Sequence, residues 1–505
     1  MAGIGFELKK LFVQKGILAN IRAYGYAGIV CTGPMLLGIL LLFGVRSIAS
    51  LGGASAAEKD TLVAMITYTL IASLTVSNLL AMVVTRYTAD MLYVGKPERI
   101  LPSFYGSSAI LLTIGGIGYG VFLYLSESLL IYKILNLILF CLLVVVWLQV
   151  SYITALKDYR KILLWFVAGV AVAITAGLLF LFTDLDIICA LLLALILGYG
   201  TIMTGFFILM HRYFSKGQGS SFHFLEWIDR FPSLLWMGIF ASVGVFSHLV
   251  ITWFGPNGRH VLGLLYDAPQ YDVPAFIAFL SVLPTTIGFV TSIEVNFYPK
   301  YKQYFSLYQN GGPFKDIEQA ELDMIQVLKR EMYYLAQRQF ITTLLFVIIG
   351  GSLIPPSSLG MNESSLSVYR ILCIGYGLYA IANSMFLILL YFSDNKGALL
   401  TSFSFMAGST LGTIFFALIS NNLLGFGFFT GGLIMYVVAW AHMRSYLNAL
   451  QYHVLGAQPI LAKEPRGIFT LLSRSSQKHS DLYEKRPAKR VQKLSSSARR
   501  SAWSR

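Results

Sequence analysis

Twelve apolar runs divide this chain, and most have the length of a membrane-spanning helix. The hydrocarbon core of a bilayer is about 30 Å thick, so a spanning helix needs about 20 mostly apolar residues. Hydrophobic residues make up 56% of the chain and charged residues 12%, which a water-soluble protein of 505 residues could not tolerate. We therefore predict an all-α polytopic membrane protein with about twelve transmembrane helices. The runs lie near 24–45, 62–84, 103–125, 134–156, 162–182, 187–210, 233–254, 273–297, 340–354, 368–392, 397–420 and 425–443.

Basic residues concentrate on one side of this arrangement. With the N-terminus in the cytoplasm, only Arg46, Lys59, Lys133, Arg259 and Arg370 of the 38 Lys and Arg residues fall outside, which is the positive-inside pattern. We expect both termini in the cytoplasm and the chain in the cytoplasmic (inner) membrane. The net charge of +14 lies beside spans and in the tail, so anionic lipids rather than nucleic acid are the expected partners.

The spans form two similar sets of six. Aromatic, apolar stretches precede spans one and seven, and tyrosine-rich stretches follow spans two and eight, at Thr85–Ile100 and Glu294–Ile317. Such a repeat indicates two six-helix lobes with the same orientation, although chance similarity of helix ends is an alternative. The predicted units are an interfacial amphipathic helix (1–22), an N-terminal lobe (23–210), a cytoplasmic inter-lobe linker (211–232), a C-terminal lobe (233–445) with a cytoplasmic loop (298–339), and a basic, largely disordered cytoplasmic tail (446–505).

Sequence signatures of catalysis are missing. The chain has no phosphate-binding GxxxxGK[ST] loop, no HExxH zinc motif and no GxSxG nucleophile elbow. Its four cysteines all lie inside predicted spans, where neither a disulfide framework nor a zinc site is expected. We expect a transporter rather than an enzyme, with no cofactor, metal or catalytic residue. In span three, Gly116 and Gly120 indicate a surface where another helix approaches closely.

Polar residues inside the spans are the candidate substrate path, because a polar group in lipid usually faces a cavity or a partner. For Arg86 and Asp90 we favour capping or snorkelling at a helix end, and for Glu294 a functional role. Each of the weaker candidates, such as Asn78, is more often an interhelical hydrogen bond. Glycines and prolines mark possible hinges. The path candidates are Arg22, Tyr24, Asn78, Arg86, Asp90, Tyr152, Glu294, Asn296 and Tyr298, and the gate candidates are Gly33, Pro34, Pro284 and Gly288.

The cytoplasmic loop at 298–339 is about twice as long as a simple connection needs. After Gly311 its apolar residues recur at helical spacing, which predicts a helix that continues into span nine. The charged face of this helix, with Asp316, Glu318 and Glu321, either docks a cytoplasmic partner or is simply solvated.

Several strings resemble the PelG family of inner-membrane exopolysaccharide exporters. They are MAGIGFELKKL (Met1–Leu11), RAYGYAG (Arg22–Gly28), YDVPAFIAFLSVLP (Tyr271–Pro284) and EVNFYPKYKQY (Glu294–Tyr304). The family is similar to the multidrug/oligosaccharidyl-lipid/polysaccharide (MOP) exporters, which have twelve helices in two lobes. The resemblance implies export of a Pel-type, N-acetylgalactosamine-rich polymer in biofilm matrix production. It also implies as partners a cytoplasmic glycosyltransferase, a cyclic-di-GMP receptor subunit and a scaffold subunit of a Pel synthase complex.

Two other functions remain open from the sequence. An ion-coupled exporter or flippase of drugs or lipid-linked sugars would need a substrate-binding acid deep within a lobe. A non-transporting membrane scaffold of the synthase would tolerate polar substitutions inside the lobes.

Overall fold

The computed structural model describes residues 38, 40–154, 159–214, 217, 219–353, 363–420, 423–456 and 466–477. In this part of the chain, eleven helical segments are long and apolar enough to cross a membrane, and a shorter apolar helix, α1, lies at the position of predicted span one. The prediction of an all-α polytopic membrane protein is therefore confirmed, while the orientation of the termini stays a prediction. The first helices are α1 (Leu40–Leu51), α2 (Ala56–Tyr93), α3 (Ile100–Leu125), α4 (Leu130–Ile153), α5 (Tyr159–Phe180) and α6 (Ile187–Tyr213).

The later helices begin with a short helix in the predicted linker. The later helices are α7 (Glu226–Arg230), α8 (Pro232–Trp253), α9 (Pro269–Phe279), α10 (Leu283–Ser292), α11 (Tyr298–Gln309), α12 (Phe314–Leu353), α13 (Glu363–Tyr391), α14 (Asn395–Ile419), α15 (Phe426–Asn448), α16 (Leu450–Gly456) and α17 (468–477).

The spans pack as two groups. In the first group, α4 packs against α2, α3 and α6, and α5 packs against α6. In the second group, α14 lies between α8 and α15, and α13 contacts α9, α12 and α15. The two groups meet mainly where α2 packs against α8. We call this contact the seam.

Polar caps set the start of several spans. At α2, the Ser55 hydroxyl accepts the N–H of Glu58 at 3.2 Å, and the Glu58 carboxylate accepts the N–H of Ser55 at 2.7 Å. At α6, Asp186 accepts the N–H groups of Ile188 and Cys189. These side chains satisfy N–H groups that have no partner within the first turn of a helix.

Predicted span eight is longer and less regular than the sequence indicates. The sequence predicts a single helix at 273–297, whereas the structure has three helices from Pro269 to Gln309 with a 3₁₀ turn at Leu280–Val282 and a π-helical turn at Ile293–Phe297. Pro274 lies inside α9 and removes one N–H donor from it. A helix interrupted in this way needs polar partners for its freed backbone groups.

The predicted helix in the long loop is confirmed. It is α12, a 40-residue helix that continues without a break into span nine. Met324, Leu328, Met332 and Leu335 of its predicted apolar side are all buried. They form a second core with aromatic residues of the π-helical turn and α11, Phe297 and Tyr304 among them.

A β-hairpin follows α8 and was not predicted. Strand β1 (Arg259–Leu262) pairs antiparallel with β2 (Leu265–Asp267). The turn between them contains Gly263 at φ +57°, a left-handed backbone angle that glycine adopts without steric cost.

One further expectation is wrong. A Cβ on Gly116 or Gly120 would meet no atom within 4 Å, whereas one on Gly115 would lie 2.7 Å from Val76 Cγ1, so Gly115 is the residue at the helix contact. Within the predicted tail, α16 and α17 are helical, and the expectation that the tail is largely disordered stays a prediction. The predicted interfacial helix at 1–22 lies outside the described residues.

Replacing Gly238 with alanine should destabilise the protein. A Cβ at this α8 position would lie 2.1 Å from the Asn78 carbonyl oxygen of α2, so the seam would have to open. We expect a loss of about 1–3 kcal/mol, the usual cost of overpacking, seen as a lower melting temperature in detergent. The matched control is Gly116→Ala, which adds the same methyl group where nothing lies within 4 Å. Equal melting temperatures for both variants would contradict the close contact.

Candidate functional site

The centre of the seam is a neutral polar contact between the two groups of helices. Asn78 Nδ2 of α2 donates to Ser242 Oγ of α8 at 2.7 Å. The glycine at position 238, one turn earlier on α8, lets the two backbones come together. Asn78, one of the predicted path residues, therefore lies at the inter-group contact, where it holds α2 to α8.

One end of the seam is closed by aromatic rings and the hairpin. We call it the hairpin end. The Tyr68 hydroxyl donates to the Tyr266 carbonyl at 3.1 Å and accepts the Tyr266 N–H at 3.2 Å. The Tyr68 ring also stacks on Trp253, with centroids 4.6 Å apart. Since Tyr68 belongs to α2 and Trp253 to α8, these contacts close the seam beside the hairpin.

An ion-pair cluster holds the hairpin in this position. Arg259 Nη2 of β1 lies 2.7 Å from Asp267 Oδ2 of β2 and 2.7 Å from Asp60 Oδ2 of α2. Hydrogen bonding to Asp267, followed by the charge of Asp267 and the contact with Asp60, raises the pKa of Arg259. The cluster joins the hairpin to the first group of helices, but its half-exposed arginine limits the strength of each pair.

The opposite end of the seam contacts the linker, and we call it the linker end. Asp90 Oδ2 accepts the indole N–H of Trp227 at 2.7 Å, and Asp90 Oδ1 lies 3.2 Å from Arg86 Nε. The Trp227 ring packs edge-on against Tyr87 at 4.8 Å, and the Arg86 guanidinium lies 5.3 Å from the Phe231 ring centre. The predicted path residues Arg86 and Asp90 thus bind the linker, while the capping or snorkelling role that we favoured stays a prediction.

A half-buried histidine adds to this linker contact. Arg99 Nη1 lies 3.0 Å from His223 Nε2, so the arginine donates and the imidazole nitrogen accepts. Burial, helped by the charges of Arg99 and Lys96 and opposed by Glu226, lowers the pKa of His223. The imidazole is therefore neutral at pH 7, as an acceptor must be.

The interrupted span forms a second polar region. Gln339 of α12 is 1% exposed and contacts Thr285 Oγ1, the Ser281 carbonyl at 3.3 Å and Thr343 Oγ1 at 3.0 Å. This amide satisfies backbone and hydroxyl groups beside the 3₁₀ turn. Our sequence analysis missed Gln339; the signal was an amide near the start of an apolar run.

Three predicted path residues lie in the π-helical turn and at the start of α11. Glu294 belongs to the turn, and its side chain is outside the described part of the structure. Asn296 is exposed and Tyr298 is half-buried. Of the predicted gate residues, Pro284 is the second residue of α10. At Gly288, an added Cβ would lie 3.2 Å from Arg338 Nη1, so the glycine leaves room for this guanidinium. The predicted residues Arg22, Tyr24, Gly33 and Pro34 lie outside the described residues.

Tyr152 has a different environment from the one that we predicted. It is fully buried in the first group, where its hydroxyl lies 3.1 Å from Ser103 Oγ and 3.2 Å from Ser107 Oγ. It joins α3 to α4, and its role in the substrate path stays a prediction. The predicted docking residues also differ among themselves, because Asp316 and Glu318 are exposed whereas Glu321 is half-buried.

Each group also contains a buried neutral cluster. In the first group, Thr69 contacts Asn136 and Tyr119, the latter at 2.9 Å. In the second, His248 Nδ1 lies 2.8 Å from the Tyr271 hydroxyl, and His248 Nε2 lies 3.4 Å from the Tyr376 hydroxyl. Such hydroxyl and amide groups can exchange hydrogen bonds with sugars. Among the described residues, no group of three His, Cys, Asp or Glu side chains could hold a metal ion.

Comparison with solved structures shows the fold. A MOP superfamily transporter from Pyrococcus furiosus is 12% identical and aligns over 84% of this chain and 96% of its own, with a TM-score of 0.56. An inward-facing multidrug resistance MATE family transporter of the MOP superfamily is 12% identical over 84% and 99%, with a TM-score of 0.54. A MATE in the bent conformation is 12% identical over 86% and 97%, with a TM-score of 0.57. The described helices therefore have a MATE-type fold.

Comparison of the sequence shows the family. No curated protein matches the chain. The family model described as "PelG: Putative exopolysaccharide Exporter (EPS-E)" matches residues 1–455. Since this match includes all the described spans, the chain belongs to the PelG exopolysaccharide exporter family.

Proposed function

We propose that this chain moves an exopolysaccharide across the cytoplasmic membrane along the seam between its two groups of helices. The observation that carries the proposal is the family match over residues 1–455, together with a MATE-type arrangement of helices. The family match and the fold support a multi-pass membrane exporter. The substrate, the path and the partners are proposals.

The chemistry of the seam fits a sugar polymer. Its central contact consists of an amide and a hydroxyl, Asn78 and Ser242, which can exchange their mutual hydrogen bond for bonds to sugar hydroxyls. At the hairpin end, the faces of Tyr68 and Trp253 are apolar surfaces of the kind that pack on sugar C–H groups. The neutral centre of the seam and the aromatic rings beside it would bind a sugar chain weakly enough to let it move.

Passage of a polymer requires the hairpin end to open. Arg259 holds that end through Asp60 and Asp267, so breaking these ion pairs is part of the proposed opening. The interrupted span, with Pro284 and Gly288, would supply the bending, because helices bend where prolines and π-helical turns interrupt their hydrogen bonds. Polymer synthesis or an ion gradient would supply the driving force.

The proposed substrate is a Pel-type polymer rich in N-acetylgalactosamine, for biofilm matrix production. The proposed partners are a cytoplasmic glycosyltransferase and the other membrane subunits of a Pel synthase, including a cyclic-di-GMP receptor. Their docking surface would be the exposed acidic side of α12 at Asp316 and Glu318. Both proposals rest on the family membership.

The fold favours one alternative, an ion-coupled MATE-type exporter of drugs or lipid-linked sugars. The buried cluster of the first group, Thr69, Tyr119 and Asn136, carries no acid to bind a cation. The second group does contain an acid, Asp272 of α9, which accepts the Trp253 indole N–H at 2.9 Å. We retain the polysaccharide exporter as the main proposal because the family match covers residues 1–455.

Replacing Arg259 with alanine should increase export. The substitution removes both ion pairs that hold the hairpin, worth about 1 kcal/mol together, so the open population should rise by about fivefold. The amount of secreted polymer, measured with a lectin, should be higher than in the parent. The membrane should also leak small solutes. The control is Arg46→Ala, which removes the same charge from an exposed position on the same predicted side. Identical behaviour of the two variants would argue against a gate at the hairpin.

Replacing Glu294 with alanine should reduce secreted polymer while the synthase still co-purifies. The carboxylate belongs to the π-helical turn of the interrupted span, a place where such turns often mark function. Glu294→Gln tests whether charge or hydrogen bonding matters. Glu363→Ala, at an exposed helix start, is the control. Normal secretion from Glu294→Ala would remove this residue from the path.

Reversing the charges of Asp316 and Glu318 to lysine should weaken co-purification of the glycosyltransferase, because both side chains project from the exposed side of α12. The matched control is the Asp184→Lys/Glu363→Lys pair, an equal charge change on the other predicted side of the membrane. If both double variants retain the enzyme equally, the acidic side of α12 is only solvated.

A further inference from the structure

Helix α17, at 468–477, lies beyond the part of the chain that the family model matches, which ends at residue 455. Despite its distance along the chain, it packs on the linker that joins the two groups of helices. Asp229 Oδ2 accepts the backbone N–H of Thr470 at 2.6 Å and the Thr470 hydroxyl at 2.8 Å. The carboxylate of α7 thus caps the first turn of α17.

Two further hydrogen bonds continue along the same side of α17. Ser473 Oγ donates to Glu226 Oε1 at 3.0 Å, and Ser476 Oγ lies 2.8 Å from Ser220 Oγ. Residues three apart share one face of a helix, so Thr470, Ser473 and Ser476 form a continuous polar face. Thr470 is 2% exposed and Ser473 is 0% exposed. The linker, rather than solvent, satisfies these polar side chains.

The contact leaves no room for a side chain at its start. A Cβ on Gly467 would lie 2.4 Å from Asp229 Cγ. Only glycine lets the chain pass this close to the carboxylate.

The opposite face of α17 is apolar and exposed. Ile468 is 75% exposed, Leu471 69% and Leu472 54%. At 100° per residue, the mean direction of these three side chains is about 180° from the mean direction of Thr470 and Ser473. The helix is therefore amphipathic with its polar face on the protein and its apolar face outward, the reverse of a helix that packs on a soluble core.

The position of α17 indicates what covers this apolar face. Its partner α7 ends at Arg230, and α8 enters the predicted membrane at Pro232. Trp227 of α7 also binds Asp90 at the end of α2. Thus α17 lies at the level where two spans leave the bilayer. Arg466 and Arg474 are exposed, and the sequence continues with further basic residues, which favours anionic headgroups.

We propose that residues 466–477 are an interfacial clasp: the polar face grips the linker at Glu226 and Asp229, and the apolar face enters the anionic cytoplasmic leaflet. The clasp connects the segment between the two groups of helices to the lipid surface. It does not depend on the identity of the exported substrate.

The lipid contact is tested on the full chain in nanodiscs that contain one-third anionic lipid. A spin label on Leu472→Cys should collide several-fold more often with lipid-soluble oxygen than with an aqueous nickel complex. A label on Lys315→Cys, exposed on α12, should show the opposite preference. Higher nickel than oxygen accessibility at residue 472 would overturn the proposal, as would shielding from both reagents, since the latter indicates a protein partner. Equal oxygen accessibility in purely zwitterionic lipid would overturn the anionic preference.

The grip on the linker is tested by hydrogen–deuterium exchange of the same nanodiscs. Asp229→Asn should accelerate exchange in 466–477 by up to about tenfold, because hydrogen bonds to a carboxylate are roughly twice as strong as those to a neutral amide oxygen. The control Asp184→Asn makes the same chemical change at an exposed loop position and should leave exchange unchanged. Unchanged exchange in both Asp229→Asn and the double variant Thr470→Val/Ser473→Ala would overturn the clasp.

Discussion

The contact between α2 and α8 at Asn78 and Gly238 is the constraint on which the arrangement of the two helix groups depends. In lipid there is no hydrophobic force between helices, so they associate through close packing and interhelical hydrogen bonds. The seam uses both: a glycine that admits the facing backbone and one amide–hydroxyl bond of 2.7 Å. Because a single such bond is worth only about 0.6–2 kcal/mol in a membrane protein, the contact can hold the groups together and still be exchanged for another.

The two ends of the seam differ in chemistry. At the hairpin end, ion pairs of a half-exposed arginine hold a two-stranded element across α2. At the linker end, Trp227, Tyr87 and Asp90 form an aromatic contact around one charged hydrogen bond. Salt weakens the ion pairs of Arg259 directly, whereas the packing of Trp227 on Tyr87 involves no charge that salt can screen. The end that the positive-inside pattern places outside is thus the one that external ionic conditions affect.

The sequence was sufficient for the class of fold because lipid allows few solutions. Apolar length and helical periodicity located the spans, and the spacing of Met324, Leu328, Met332 and Leu335 located the buried side of α12. Contacts between distant segments could not be predicted in this way. Nothing local distinguishes Gly115, which touches Val76, from Gly116, which touches nothing within 4 Å. Likewise Gln339 and Tyr152 are both polar residues in apolar runs, and only their neighbours show that each satisfies a structural need.

The π-helical turn at Ile293–Phe297 has a consequence for the length of this span. A π turn accommodates one more residue than an α turn, so it is the mark of a one-residue insertion in an otherwise regular helix. Were the same residues to form a regular α-helix instead, everything after Phe297 would be rotated by about 100°. Tyr304, which is 1% exposed, would then leave the core that α11 forms with α12, and another residue would take its place. The π turn between Ser292 and Tyr298 therefore determines which side of α11 faces the second core.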